Sequence, residues 1–197
     1  LYFYSMKKII FATNNLNKLK EIQKAISDFQ IVGLNEMGIK EDIPETGHTL
    51  KENALQKAQY IYKKTGMNCF ADDTGLEIEP LENRPGVYSA RYAGEQCSAE
   101  DNIKKVLLEL KGKSSRKANF KTVIALILNG QIHFFNGMIE GDILIEKTGK
   151  EGFGYDPIFK PNGFDSSFAE MSIEQKNQIS HRGIAVRKLI EFFNQKI

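Results

Sequence analysis

Cysteine is scarce in this chain of 197 residues, which has only Cys69 and Cys97. Neither stands in a CxxC or Cys/His spacing, which argues against a disulfide framework and against zinc and makes a reducing cytosol the expected compartment. Long hydrophobic runs are missing too. None approaches the roughly 20 apolar residues that cross a bilayer, and no leader pattern of charged, apolar and cleavage regions is present. There is no excess of one charge. The 27 basic and 25 acidic residues leave a formal +2, too balanced for a nucleic-acid duplex binder, so any anion site must gather its cations locally. Internal repeats and low-complexity tracts are absent, as are the glycines and the GK[ST] ending of a P-loop.

What remains is an ordinary globular composition, 41% hydrophobic and 26% charged, long enough to bury a core as one domain or one two-lobed domain. The first five residues, LYFYS, read as a tag remnant. The domain is taken as 6–197, starting at Met6.

The densest stretch is 70–94, FADDTGLEIEPLENRPGVYSARYAG. An apolar run meets Asp72 and Asp73, followed by Thr74-Gly75, and reads as a buried strand that ends in a site. Carboxylates rarely enter a core without a partner. Neighbours on a strand point to opposite faces, so only one of the two acids serves a given cleft.

Ahead of this stretch, Ile9 to Ala12 is an apolar run that ends in a polar turn holding Thr13, Asn15 and Lys18. Leu16, Leu19, Ile22 and Ile26 then recur at helical spacing, with Glu21 expected outward. Unpaired N–H groups and the positive dipole end make such a turn either a capped helix start with a surface lysine or an anion site. Thr49-x-x-Glu52 is a capping box that opens a helix to about residue 64. Its apolar face carries Leu50, Ala54, Ala58 and Ile61. Lys57 falls on that face seven residues after Leu50, with Asn53 one turn earlier, so Lys57 either snorkels to solvent or meets an anion.

Farther on, Ser98 caps a helix through Leu110. Two strands, 120–128 and 132–145, join at Asn129-Gly130, a hairpin signal. In 151–161, EGFGYDPIFKP, Phe153 lies between two glycines, beside Tyr155 and Asp156-Pro157. Ser172 opens a short helix bearing Lys176, and Ser180 caps the last helix. His181 and Arg182 lie in its first turn, where cations oppose the dipole and need a compensating acceptor. Alternating strands and helices followed by a long hairpin predict an α/β fold with a mixed twisted sheet flanked by helices.

Six motifs stand in fixed order: Thr13-x-Asn15-x-x-Lys18; Pro44-Glu45 with Glu52-Asn53-Ala54-x-x-Lys57-Ala58; Ala71 to Leu76; Pro85 to Tyr92; Gly152-Phe153-Gly154-Tyr155-Asp156-Pro157; and Ser180-His181-Arg182-Gly183. Together they resemble the inosine triphosphate pyrophosphatase family, the XTP/dITP diphosphatases, over nearly the whole chain from Met6. Thr74 stands where many relatives have serine, and Tyr155 where some have tryptophan.

The resemblance implies a two-lobed α/β homodimer with a nucleotide cleft between the lobes. Its implied reaction is Mg²⁺-dependent hydrolysis of ITP, dITP and XTP to the monophosphate and pyrophosphate. It assigns Thr13, Asn15 and Lys18 to phosphate, and Glu45 and Asp73 to metal, with Asp73 as base. Thr74, Phe153, Gly154, Tyr155, Asp156, Lys176, His181 and Arg182 go to the nucleotide.

The chemistry agrees with these assignments. A triphosphate brings about four negative charges, which Lys18, Lys57 and Lys176 with Mg²⁺ offset, and this gives Lys57 its reason. Asp72, on the opposite face from Asp73, becomes an orienter or second ligand. His181 and Arg182 donate to a purine O6 and leave an adenine amino group unpaired, while Phe153 stacks on the base. A Maf-like dTTP or UTP pyrophosphatase lacks counterparts to the SHR and GFGYDP elements. A non-catalytic nucleotide-binding module leaves the Glu45/Asp73 pair without a purpose. No nucleic-acid polymer or membrane partner is expected.

Overall fold

The computed structural model describes residues 8–26, 29–41 and 43–196; the tag reading of residues 1–5 and the start at Met6 fall outside them. Strand β1 (Lys8–Phe11) leads into helix α1 (Leu16–Ala25), then strand β2 (Gln30–Gly33), helix α2 (Leu50–Thr65) and strand β3 (Cys69–Ile78). A short strand β4 (Arg84–Gly86), helix α3 (Ala99–Glu109), the hairpin strands β5 (Lys117–Leu128) and β6 (Gln131–Ile143), and strand β7 (Phe159–Pro161) follow. Helices α4 (Ile173–Ile179) and α5 (His181–Lys196) complete the described chain.

Among the described residues, seven strands form one mixed sheet in the order β2-β1-β3-β5-β6-β7, with β4 also on β3. β1 runs parallel to β2 and to β3, as strand–helix–strand crossovers require. The turn at Asn129-Gly130 takes positive φ at both residues, 50° and 81°, the conformation for which Asn-Gly is suited. β6 stops at Ile143, two residues short of the expected end, and Ile145 is exposed. No helix of the described residues is long and apolar enough to cross a membrane.

The chain divides into two compact units. The first draws on Leu1–Asp73, Val123–Asn136 and Ala185–Ile197, the second on Thr74–Thr122 and Gly137–Ile184. The first unit has two apolar clusters. One gathers Ile9, Phe11, Ile22, Ile31, Phe70, Ile124 and Leu126 with Ala185, Val186, Leu189 and Phe193 of α5. Phe11 and Phe70, register partners on β1 and β3, stack at 4.6 Å there. The other cluster sets Ile10, Val32, Cys69, Ala71, Ala125 and Ile127 against Ala54, Ala58 and Ile61 of α2. The second unit packs Leu76, Ile78, Phe120, Ile143 and Phe159 with Ile103, Val106 and Leu110 around Phe168.

Helix α2 keeps the face read from its periodicity, with Leu50, Asn53, Ala54, Lys57, Ala58 and Ile61 all buried. Helix α1 keeps Leu19, Ile22 and its C-cap Ile26 on the core face as expected, and departs only at its first residue and at Glu21. Leu16 is 59% exposed and Glu21 only 4%. Leu16 is the first helical residue, and a helical side chain leans toward the N-terminus, so Leu16 overhangs the open end instead of the core.

Candidate active site

The paired acids are not at a strand end. β3 continues through Thr74 and Gly75 to Ile78, because Leu76 and Ile78 find register partners in Gly86 and Arg84 of β4. The Thr74-Gly75 pair, which follows the acids where the strand was expected to end, is therefore extended backbone. The acids still lie at a boundary, since Asp73 is the last residue of its segment in the first unit and Thr74 the first of the second.

Strand alternation sends the two carboxylates to different partners. Asp72, almost wholly buried, accepts from the Lys18 ammonium at 2.9 Å. Asp73 faces α2, where Asn53 Nδ2 donates to its Oδ2 at 3.1 Å and the Lys57 ammonium stands 3.6 Å from its Oδ1. The same ammonium is hydrogen-bonded to Glu45 Oε1. Asp72 thus holds Lys18 and contributes to orienting a cation. Burial pushes the Asp73 carboxyl above its usual range, with Glu45 adding to the rise and Lys57 and Lys18 opposing it. For Lys57, burial alone would lower the pKa, but Asp73, Glu45 and Asp72 outweigh it and the net shift is upward. Lys57 is 7% exposed, so it does not snorkel to solvent. It is held by two carboxylates.

The β1–α1 turn is a cap and more. Asn15 is the N-cap, its side chain accepting from the N–H groups of Asn17 and Lys18, while Thr13 Oγ1 accepts from Asn15 N at 3.1 Å. Lys18 is anchored on Asp72 and is not a solvated surface lysine. Thr13 and Asn15 shape the turn, and Lys18 supplies its charge.

In the second unit a separate group forms. The Asp156 carboxylate accepts from Phe153 N at 2.7 Å and from the Lys176 ammonium at 2.6 Å. Gly152 lies so close that a Cβ there would sit 2.2 Å from Asp156 Oδ2. Gly154 has φ +59° with nothing near its missing Cβ, a left-handed turn residue. The loop thereby presents the half-buried Phe153 ring, with Lys176 4.7 Å and Arg182 5.6 Å from its centroid. Arg182, almost wholly buried, donates through Nη2 to Thr74 Oγ1 at 3.1 Å, and Thr74 shares a 2.7 Å hydroxyl contact with Thr122. His181 stacks on Phe120 at 4.5 Å.

Tyr155 departs from its expected place. Its ring belongs to the second unit's core and its hydroxyl donates to Ser89 O at 2.9 Å, so its side chain supports the loop that carries Phe153. Two residues drew no role from the sequence, Asn53 and Thr122, and Asp72 was read as an orienter without its partner Lys18. Their partners lie 20, 48 and 54 positions away, and a single sequence marks none of them as neighbours. Asn53 alone left a signal, a polar residue one turn before Lys57 on an apolar face.

The donor set at Glu45 and Asp73 suits a hard divalent cation, since two carboxylates from separate segments already converge on one ammonium. Among the described residues no three His, Cys, Asp or Glu groups gather. A Mg²⁺ held here would therefore complete its shell with water and phosphate oxygens, which is its habit.

Comparison with known proteins identifies the family. The profile of the Ham1 family matches residues 9–192. The chain is 56% identical over 189 residues to a dITP/XTP pyrophosphatase of Porphyromonas gingivalis, covering 95% of this chain and 97% of the relative. It is 53% identical to the dITP/XTP pyrophosphatase of Christiangramia forsetii, over 95% of this chain and all (100%) of that one. The solved structure of the Staphylococcus aureus Ham1 protein superposes with a TM-score of 0.87 at 40% identity, covering 97% of this chain and 100% of that structure. With a profile match over most of its length and close relatives aligned nearly end to end, the chain belongs to the Ham1 family.

Proposed function

We propose that this chain is a nucleoside triphosphate pyrophosphatase that hydrolyses dITP, ITP and XTP to the monophosphate and pyrophosphate. It removes deaminated purine nucleotides from the pool, as a homodimer in the cytosol. The observation that carries this reading is the buried ammonium of Lys57 set between Glu45 and Asp73, in a chain 56% identical to a dITP/XTP pyrophosphatase.

The roles divide by unit. In the first, Lys18 and Lys57 take the phosphates, with Thr13 and Asn15 shaping the turn that holds Lys18. Glu45 and Asp73 would hold a Mg²⁺, which would supply charge neutralisation to the phosphates. A water oxygen forms the new bond to the α-phosphorus, the bond from that phosphorus to the bridging oxygen breaks, and pyrophosphate leaves. The water's proton passes to the Asp73 carboxylate, which Asn53 holds in place through Oδ2.

In the second unit, Phe153 stacks on the base, on the order of 1–3 kcal/mol. Arg182 and His181 donate to the purine O6. Arg182 is buried and already directed by Thr74. An adenine amino group in that position leaves the donors unsatisfied, the kind of mismatch a polar site rejects most strongly. Lys176 and Asp156 fix the loop under the ring.

The test is pyrophosphate release from ITP, dITP, XTP, ATP, UTP and dTTP with and without Mg²⁺, for the wild type and Asp73→Asn. Release confined to the 6-oxopurine substrates, dependent on the metal and abolished in the variant while nucleotide binding persists, is the expected result. A preference for UTP or dTTP overturns the substrate assignment, and wild-type turnover in the variant removes Asp73 as base.

A further inference from the structure

Asn53 is an amide at the centre of an otherwise apolar helix face, and its side chain is wholly shielded from solvent. Both ends of that amide are used. Gly47 N donates to its Oδ1 at 2.8 Å, and its Nδ2 donates to Asp73 Oδ2 at 3.1 Å. The orientation is fixed by chemistry, because a backbone N–H can only donate and an ionised carboxylate can only accept.

The contact to Gly47 is unusually close. A Cβ at that position would lie 2.6 Å from Glu52 Cβ and 2.8 Å from Asn53 Oδ1. The neighbouring Thr46 is tied down as well, its N–H donating to Gln56 Oε1 at 3.0 Å. The segment carrying Glu45 is therefore laid against α2 and pinned by Asn53. The same side chain grips the oxygen of Asp73 that does not face Lys57, leaving Oδ1 directed to the ammonium.

We propose that Asn53 is a positioning residue that fixes the Asp73 carboxylate relative to the Glu45 segment and so sets the site's affinity for a divalent cation. The proposal rests on the metal-binding reading of Glu45 and Asp73. One side chain of fixed length couples two chain segments. An apolar replacement would strand the Gly47 N–H and one Asp73 oxygen, and an aspartate would keep the first contact but set a second carboxylate against Asp73. Outer-shell partners of this kind alter metal affinity by about tenfold or more when removed.

Titration of the nucleotide-free protein with Mn²⁺, following the free ion by electron paramagnetic resonance, tests this directly. Asn53→Ala should weaken Mn²⁺ binding about tenfold or more while KM for dITP at saturating metal stays within about twofold, since no nucleotide contact is touched. Mn²⁺ affinity unchanged in a folded Asn53→Ala protein overturns the proposal. If that variant does not fold, Asn53→Asp decides. It keeps the shape and the Gly47 acceptor but loses the donor to Asp73, and its Mn²⁺ dissociation constant should shift by about tenfold or more, with KM for dITP at saturating metal little changed. A wild-type Mn²⁺ affinity in Asn53→Asp, or failure of both variants to fold, assigns Asn53 to the core alone. Wild-type protein that hydrolyses none of the triphosphates fails the proposed function whatever its Mn²⁺ affinity. Wild-type activity beside an unchanged Mn²⁺ affinity in Asn53→Ala fails this proposal only.

Discussion

Lys57 is a cation on a face otherwise given over to apolar packing, and its charge has to be held by something anionic to be tolerated there. Glu45 and Asp73 hold it, and they are also the two groups assigned to a metal. Under that assignment the ammonium and a divalent ion would share the same pair of carboxylates. Replacing Lys57 by methionine keeps the stem and removes the charge, leaving Asp73 and Glu45 facing each other uncompensated. Without metal the variant should lose about 3 kcal/mol of stability, read from chemical denaturation, and added Mg²⁺ should narrow the gap. The net pKa shift of Lys57 is upward from 10.5. The stabilisation it brings is thus fully present below that value and fades only as pH rises through the higher folded value. The deficit of Lys57→Met should be flat through neutral pH and shrink only in strong alkali. A deficit that already closes by pH 8 would contradict the ion-pair account.

Helices carried their own punctuation in the sequence. Thr49 with Glu52, Ser98 with Asp101 and Ser172 with Gln175 all form reciprocal caps, as their local spacing dictates. The 3.6-residue period was enough to put Lys57 on the buried face of α2. Strand β3 was harder to read. Thr74-Gly75 looks like a turn by composition, and only pairing with β4, a non-local event, keeps it extended. The same limit hid the contacts of Asp72 with Lys18 and of Thr74 with Thr122, while the core position of Tyr155 depends on Ser89, 66 residues away. The α4–α5 junction lies between these cases. Ser180 was legible as a cap, but the need for Gly183 was not. A Cβ at Gly183 would stand 1.9 Å from the Asn177 carbonyl oxygen, so α4 packs directly on the backbone of the turn that carries His181 and Arg182. Gly183→Ala should cost about 2 kcal/mol through overpacking and lower the dITP-over-dATP ratio of kcat/KM by displacing Arg182. A thermal melt and a paired kinetic assay measure both, and an unshifted melt would mean that the helices separate freely.

The whole molecule is interleaved. The chain leaves the first unit after Asp73, returns for 123–136, leaves again and returns at Ala185. Alternation of short strands and helices predicted an α/β fold, but nothing in the composition marked these crossings, because the same long strands, β3, β5 and β6, serve both units. Ala185, Val186, Leu189 and Phe193 of α5 complete the cluster that holds Ile9, Phe11, Phe70 and Ile124. At roughly 1.5–3 kcal/mol for each of the larger side chains, their burial rivals the total stability of about 5–15 kcal/mol typical of a domain. A chain ending at Ile184 keeps every assigned catalytic and base-binding residue, yet it should show no cooperative melt by circular dichroism and no pyrophosphate release. A folded, active truncation would mean that the first unit closes without α5.

Interleaving also orders events during synthesis. Glu45, Lys57 and Asp73 leave the ribosome early, but the apolar cluster of their unit lacks Ala185, Val186, Leu189 and Phe193 until α5 emerges, so the proposed metal site is synthesised before its supporting core is complete. A message broken in its final stretch should then yield a chain with an uncovered apolar face, open to proteolysis, in place of a half-selective enzyme.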